Sequence, residues 1–232
     1  MSFPFLQFLT SPWFVVLWFV TGTILAVYTL YDEYVINTNV NKALKWGWPI
    51  LITFLSPIAF ILYLYTCRPP GIQNKTGETE KHLHHEYVSP MFKKVTGSVI
   101  HCVAGDGLGI MSAMVVSRIF NFPFWTEFWF EYAVGFLFGW LIFQYAAMRN
   151  MGNNKKTALY KAFRAEFFSM ITVMLGMGLV MRFVTPAVVG HPPDPNTAAF
   201  WGFSSLGLLV GMIFTYPMNW WLVKKGWKHG MS

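Results

Sequence analysis

The chain has 232 residues, of which 55% are hydrophobic, 19% aromatic and only 12% charged, with a formal net charge of +7. A soluble domain carries roughly 25% charged residues, so this composition excludes an ordinary water-soluble protein, and no soluble module with a basic face is present to bind nucleic acid. Two cysteines exclude a disulfide framework and predict two thiols.

Six apolar stretches follow in chain order, from about Pro12 to Tyr31, Trp46 to Thr66, Val95 to Phe120, Phe124 to Met148, Ala165 to Val184 and Ala198 to Val223. Each is near or above the roughly 20 residues that cross about 30 Å of hydrocarbon at 1.5 Å per residue. Strands of a membrane barrel would be about 10 residues long and half polar. The expected fold is therefore all-α, a polytopic integral membrane bundle of six transmembrane helices. The stretch from Met1 to Trp13 has neither a basic n-region nor a small-residue cleavage site, so the first span is expected to be retained.

Residues 1–67 read as a two-helix front and 95–232 as a four-helix core, with a polar loop over 68–94 between them. The loop opens on Arg68-Pro69-Pro70-Gly71, which stops a helix, and closes on Lys81-His82-Leu83-His84-His85-Glu86-Tyr87. His82, His84 and His85 are candidate transition-metal ligands, since imidazole suits zinc, copper and nickel; the same tract also reads as a solvated loop.

Lys and Arg mark the cytoplasmic side of a membrane protein. The loops after the second and fourth spans and the tail hold 13 of them, against 4 in the other three loops. For six straight crossings this alternation predicts both termini in the cytoplasm, in a multi-pass protein of the cell's inner (plasma) membrane whose first partner is the lipid bilayer. Other membrane subunits, or self-association, are the protein partners this class implies.

The third span carries His101, Cys102 and Asp106. An ionisable group in lipid is costly and faces protein or water. Imidazole, thiolate and carboxylate are all metal ligands, and a thiolate–imidazole pair favours copper or zinc. At about 100° per residue, Cys102 and Asp106 lie side by side while His101 and Asp106 point about 140° apart. One helix cannot close a site with all three, and a second must contribute. The competing reading is packing, in which Gly97, Gly105 and Gly109 allow close helix approach and the polar groups hydrogen-bond across it.

The fourth span offers Glu127 and Glu131 and the small pair Gly135 and Gly139; Gly207 and Gly211 form another pair in the sixth. Arg118 and Arg182 lie at the same depth as the two glutamates. The four charges read either as ion pairs pinning neighbouring helices or as an outer vestibule for a cation. Gln144 is positioned to bond to Glu166 at the start of the fifth span. Nucleophile, base and orienter do not assemble anywhere into a catalytic set.

The order of these features resembles the bacterial membrane family catalogued as domain of unknown function 4396. The resemblance rests on Trp48-Pro49, Ser56-Pro57-Ile58-Ala59, Tyr63-Leu64-Tyr65, His101-Cys102-x-x-Gly105, Phe143-Gln144-Tyr145, Arg164-Ala165-Glu166 and Tyr216-Pro217-x-Asn219-Trp220-Trp221-Leu222. The family's third-helix pattern is similar to H-C-x-x-G-C-x-x-G followed by an acidic residue. Here Asp106 stands at the second cysteine and Ile110 at the acidic position. The resemblance implies no activity, although relatives are associated with copper proteins by name or by fusion.

Three functions follow as expectations. The first is a non-catalytic accessory or structural subunit of a larger membrane assembly. The second is transition-metal handling or transport, of copper or zinc, through the His101/Cys102/Asp106 region. The third is a small proton-coupled transporter.

Overall fold

Three of the six long apolar helices start on local signals. Pro12 stands in a first turn, where its missing N–H costs nothing. Asn154 accepts a hydrogen bond from the Thr157 N–H, and Thr197 accepts one from the Phe200 N–H. The computed structural model describes residues 3–72, 78–228 and 230–231. Residues 73–77 of the polar loop, with Lys75, lie outside the described residues.

Every regular element among the described residues is helical. After a short 3-10 turn over Pro4–Thr10 come α1 (Pro12–Ile36), α2 (Leu44–Thr66), α3 (Glu78–Val88), α4 (Met91–Ile119), α5 (Phe124–Arg149), α6 (Lys155–Val189) and α7 (Ala198–Lys224). All but α3 are long and apolar enough to cross a membrane, six in total.

One of the six does not run straight. At Ser56 the backbone takes φ 48° and ψ −130°, the geometry of the first central residue of a type II′ turn, and Pro57 follows without an N–H to continue the ladder. α2 is therefore two half-helices folded against each other. The Trp48 and Tyr63 rings stand 5.4 Å apart, whereas fifteen residues of straight helix separate side chains by about 22 Å. Each limb is roughly 15–18 Å long, about half a hydrocarbon core.

α1 braces this hairpin. The Trp18 indole N–H donates to the Phe54 carbonyl at 2.9 Å, satisfying an acceptor near the turn. Gly22 lies so close that a Cβ there would stand 2.7 Å from the Thr53 carbonyl oxygen. At the open end Asp32 accepts from Tyr63 and pairs with Arg68 at 2.8 Å, and the Asn37 amide donates to the Cys67 carbonyl. Ser56 and Asp32 are fully buried. This satisfies the general condition that irregular backbone at membrane depth be enclosed by protein.

The fold-back changes which ends lie together. Both mouths of the hairpin, the start of α4, the end of α5, the start of α6 and the end of α7 share one face of the bundle. The starts of α1, α5 and α7 share the other, where Gly202 meets the Leu9 backbone. Six straight crossings would put the start of α1 and the end of α7 on the same face; they are on opposite faces, because α2 returns to the side it came from. The distribution of charge follows. Among the described residues, fourteen of the 16 Lys and Arg belong to the hairpin face, including Lys42 and Lys45, and only Arg118 and Arg182 to the opposite one.

α4 is the central helix, with 78% of its apolar window buried. α2 packs on one side of it through Gly47, against Ile100 and Ala104, while α5 packs on another through Gly105 and Gly109. α3 covers the hairpin mouth, where Tyr87 donates to the Tyr65 carbonyl at 2.6 Å. Beyond α7 the chain turns at Gly226 (φ 66°) and tucks back. The Met231 N–H donates to the Lys94 carbonyl, and Gly97 leaves the space that Met231 fills.

Candidate metal centre

Cys102 and Asp106 are four residues apart on α4 and therefore neighbours on its surface. The Cys102 thiol donates to Asp106 Oδ2 at 3.1 Å and reaches Glu166 Oε1, from α6, at 3.6 Å. One ligand atom from each of the three residues lies within 4.8 Å of the others, and all three side chains are buried. Glu166 is the contribution from a second helix that the wheel of α4 requires.

Glycine makes this juxtaposition possible. A Cβ at Gly105 would stand 2.8 Å from the Gly139 Cα, and one at Gly109 would stand 2.7 Å from the Gly135 Cα. α5 can thus lie directly on α4. At Gly139 itself a Cβ would run into Asp106 Oδ1 and Glu166 Oε1. Gly139 belongs to a π-helical turn, Phe138–Gln144, a distortion found often at functional sites. Gly211 and Gly176 approach in the same way between α7 and α6, while Gly207 makes only ordinary contact with Met177.

One cation reaches this site from outside the helices. Lys228 is buried, and its ammonium donates to Ser169 Oγ at 2.9 Å, one turn along α6 from Glu166. Its charge acts on both Cys102 and Asp106. A polar ladder supports it: the Ser98 hydroxyl donates to Asn219, the Asn219 amide to Thr215, and the Thr215 hydroxyl to the Ser169 carbonyl. Ionised, the thiol and two carboxylates carry three negative charges. Lys228 neutralises one, and a divalent cation would neutralise the remaining two.

The other candidates do not converge on this centre. His101 is buried on α4 but is not one of the three clustered ligands. Gln144 is buried, yet its Nε2 has no hydrogen-bond partner among the described residues, and Glu166 faces Cys102 instead. His82, His84 and His85 diverge: His84 turns inward and is buried, whereas His82 and His85 are exposed, with His82 beside Glu86 at 3.8 Å. Burial, with the charges of His85 and Lys45 nearby, holds His84 down to about 4. Arg118 pairs with Glu127 at 3.0 Å, and Arg182 lies over the Phe124 ring at 4.9 Å. Glu131 shares a cavity with these three charges.

Sequence reasoning named Cys102 and Asp106 as a pair but assigned Glu166 to Gln144, and it missed Ser169, Thr215, Asn219 and Lys228 as polar residues buried around the centre. Lys228 looked like a topology signal among tail lysines. Only its 4% exposure sets it apart.

An all-helical bundle with six helices fit to cross a membrane, and a polar centre buried between two of them, is the class these features define. Within it, the chain belongs to the family described as domain of unknown function 4396 (DUF4396), whose sequence profile matches residues 91–228, more than half of the chain. The match takes in α4 to α7 and runs through Lys228; α1 and α2 precede it. No curated protein matches the chain, and no solved structure does.

Proposed function

We propose that this protein is a multi-pass membrane protein that binds a divalent transition metal of the zinc class between α4 and α6, through Cys102, Asp106 and Glu166. The observation that carries this reading is the set of three buried donors within 4.8 Å of one another, from two helices. Three protein ligands leave a fourth position open, as in exchangeable rather than closed structural zinc sites. One sulfur and two carboxylates suit a borderline divalent ion better than copper(I), which prefers thiolate and thioether. With Lys228 in place, a divalent ion also brings the buried charge to zero, which a buried ionic group requires. The accessory-subunit reading rests on glycine stripes, aromatic richness and the lack of a catalytic set, none of which identifies a partner, so the donor set takes precedence over it.

The fold-back of α2 bears on orientation. Lys and Arg concentrate on the cytoplasmic side, and fourteen of the 16 among the described residues fall on the hairpin face. We therefore assign that face, with the end of α7, to the cytoplasm and the start of α1 to the opposite side. The metal centre then lies beneath the segment that carries Lys228, on the cytoplasmic side of the bundle.

Zinc titration of the chelator-stripped protein tests the metal assignment. The expected result is one zinc per chain. Removing a metal's outer hydrogen-bond partners already costs 10–100-fold, so Glu166→Gln should weaken binding about 100-fold or more while His101→Ala leaves it unchanged. Binding that survives Glu166→Gln but is lost in His101→Ala would contradict the assignment.

A further inference from the structure

The face that is otherwise bare of Lys and Arg has two arginines, and both line one cavity. This cavity has a volume of about 930 Å³ and lies between α4, α5 and α6. Its walls include Ile110, Met114, Ile171, Met174 and Leu175; its charged end holds Arg118, Arg182, Glu127 and Glu131. The charge bias of membrane proteins concentrates cations on one side, so it gives no reason for two guanidinium groups on the face opposite the basic one. Arg118 is committed to Glu127 at 3.0 Å. Among the described residues no carboxylate lies within 4.0 Å of Arg182, which rests on Phe124. The cavity is thus graded: charged near the helix ends and apolar toward the middle of the bundle.

We propose that this cavity binds one zwitterionic phospholipid, of the phosphatidylethanolamine type, from the leaflet opposite the hairpin face. The acyl chains lie along the apolar wall, where methionines adapt to an irregular chain. The phosphate accepts from Arg182, whose planar fork matches it. The ammonium meets the Glu127–Glu131 pair, where Arg118 pairs with Glu127, and it compensates Glu131 as that carboxyl ionises. One free cation beside one carboxyl without a guanidinium of its own complements a zwitterion. A free metal ion or a soluble anion would leave the apolar wall without an occupant. The inference does not depend on the metal centre, none of whose three ligands lines this cavity.

Gly178 lines this cavity, and a Cβ there would meet nothing within 4 Å, so the space can be filled without disturbing the helices. Native mass spectrometry of the detergent-solubilised protein titrated with phosphatidylethanolamine tests the proposal. One lipid per chain is expected to bind saturably to the wild type and to Gly178→Ala. Binding should fall about tenfold or more in Gly178→Leu and in Arg182→Gln, since a charge-assisted hydrogen bond is worth about 1.5–3 kcal/mol. Equal binding to Gly178→Leu and wild type would overturn the site. Equal binding of a diacylglycerol would overturn the headgroup assignment, as would tighter binding of phosphatidylglycerol. A thermal midpoint and gel-filtration profile matching the wild type show that Gly178→Leu is folded.

Discussion

A methyl group at Gly139 would occupy the space between the Asp106 and Glu166 carboxylates, and both side chains would have to swing out of the positions in which they meet Cys102. Gly139→Ala should therefore abolish zinc binding although it removes no ligand, whereas Gly207→Ala, at a looser contact, should leave it intact; the same titration checks both. Lys228 governs a different quantity. Binding requires the thiol to ionise and so releases protons, and the ammonium keeps one negative charge compensated before the metal arrives. Lys228→Met should then raise the number of protons released per zinc by about one, measured by calorimetry in buffers of different ionisation enthalpy. These residues mark the limit of reading the chain alone. The spacing of Cys102 and Asp106 is a property of one helix and was legible. The meeting of Glu166, Gly139 and Lys228 depends on three other segments, and no local pattern encodes it.

Among the elements, α2 and α3 lend themselves to direct tests. α2 has the length and composition of a straight span, and its two-limbed form depends on a single residue with positive φ. Ser56-Pro57 was visible as a motif, but whether Ser-Pro kinks a helix or reverses it is decided by what surrounds it, here Trp18 and Gly22 of α1. A β-branched side chain is strained in that conformation, so Ser56→Ile should destabilise the protein by about 2–3 kcal/mol, seen as a lower thermal midpoint, while Ser56→Gly should match or exceed the wild type. α3 docks through His84, whose folded pKa of about 4 lies below the ordinary value of 6.5. The undocked helix therefore binds more protons between those values, and acidification favours undocking. The hydrogen-exchange protection factors over Glu78–Val88, taken relative to the intrinsic rate at each pH, should be high at pH 7 and fall as the pH drops through 6 toward 4. In His84→Leu that fall should disappear.

For the whole molecule, six apolar stretches were legible because hydrocarbon imposes a length and a polarity on every segment that crosses it. The arrangement of the faces was not, because counting crossings assumes that each stretch reaches the far side. With α2 folded back, Lys42 and Lys45 join the basic face, and the charge asymmetry sharpens from 13 against 4 along the sequence to 14 against 2 among the described residues. Single cysteines at Phe5 and at Lys225, in a background lacking Cys67 and Cys102, should react with a membrane-impermeant maleimide from opposite sides of sealed membranes. Labelling from the same side would restore six straight crossings.

The central claim is that Cys102, Asp106 and Glu166 together hold a metal, and X-ray absorption at the zinc edge of the zinc-loaded protein tests it most directly. The account predicts one sulfur at about 2.3 Å and an oxygen shell at about 2.0–2.2 Å, with the sulfur scatterer lost in Cys102→Ser. A shell of nitrogen without sulfur would contradict it and move the metal to the histidines.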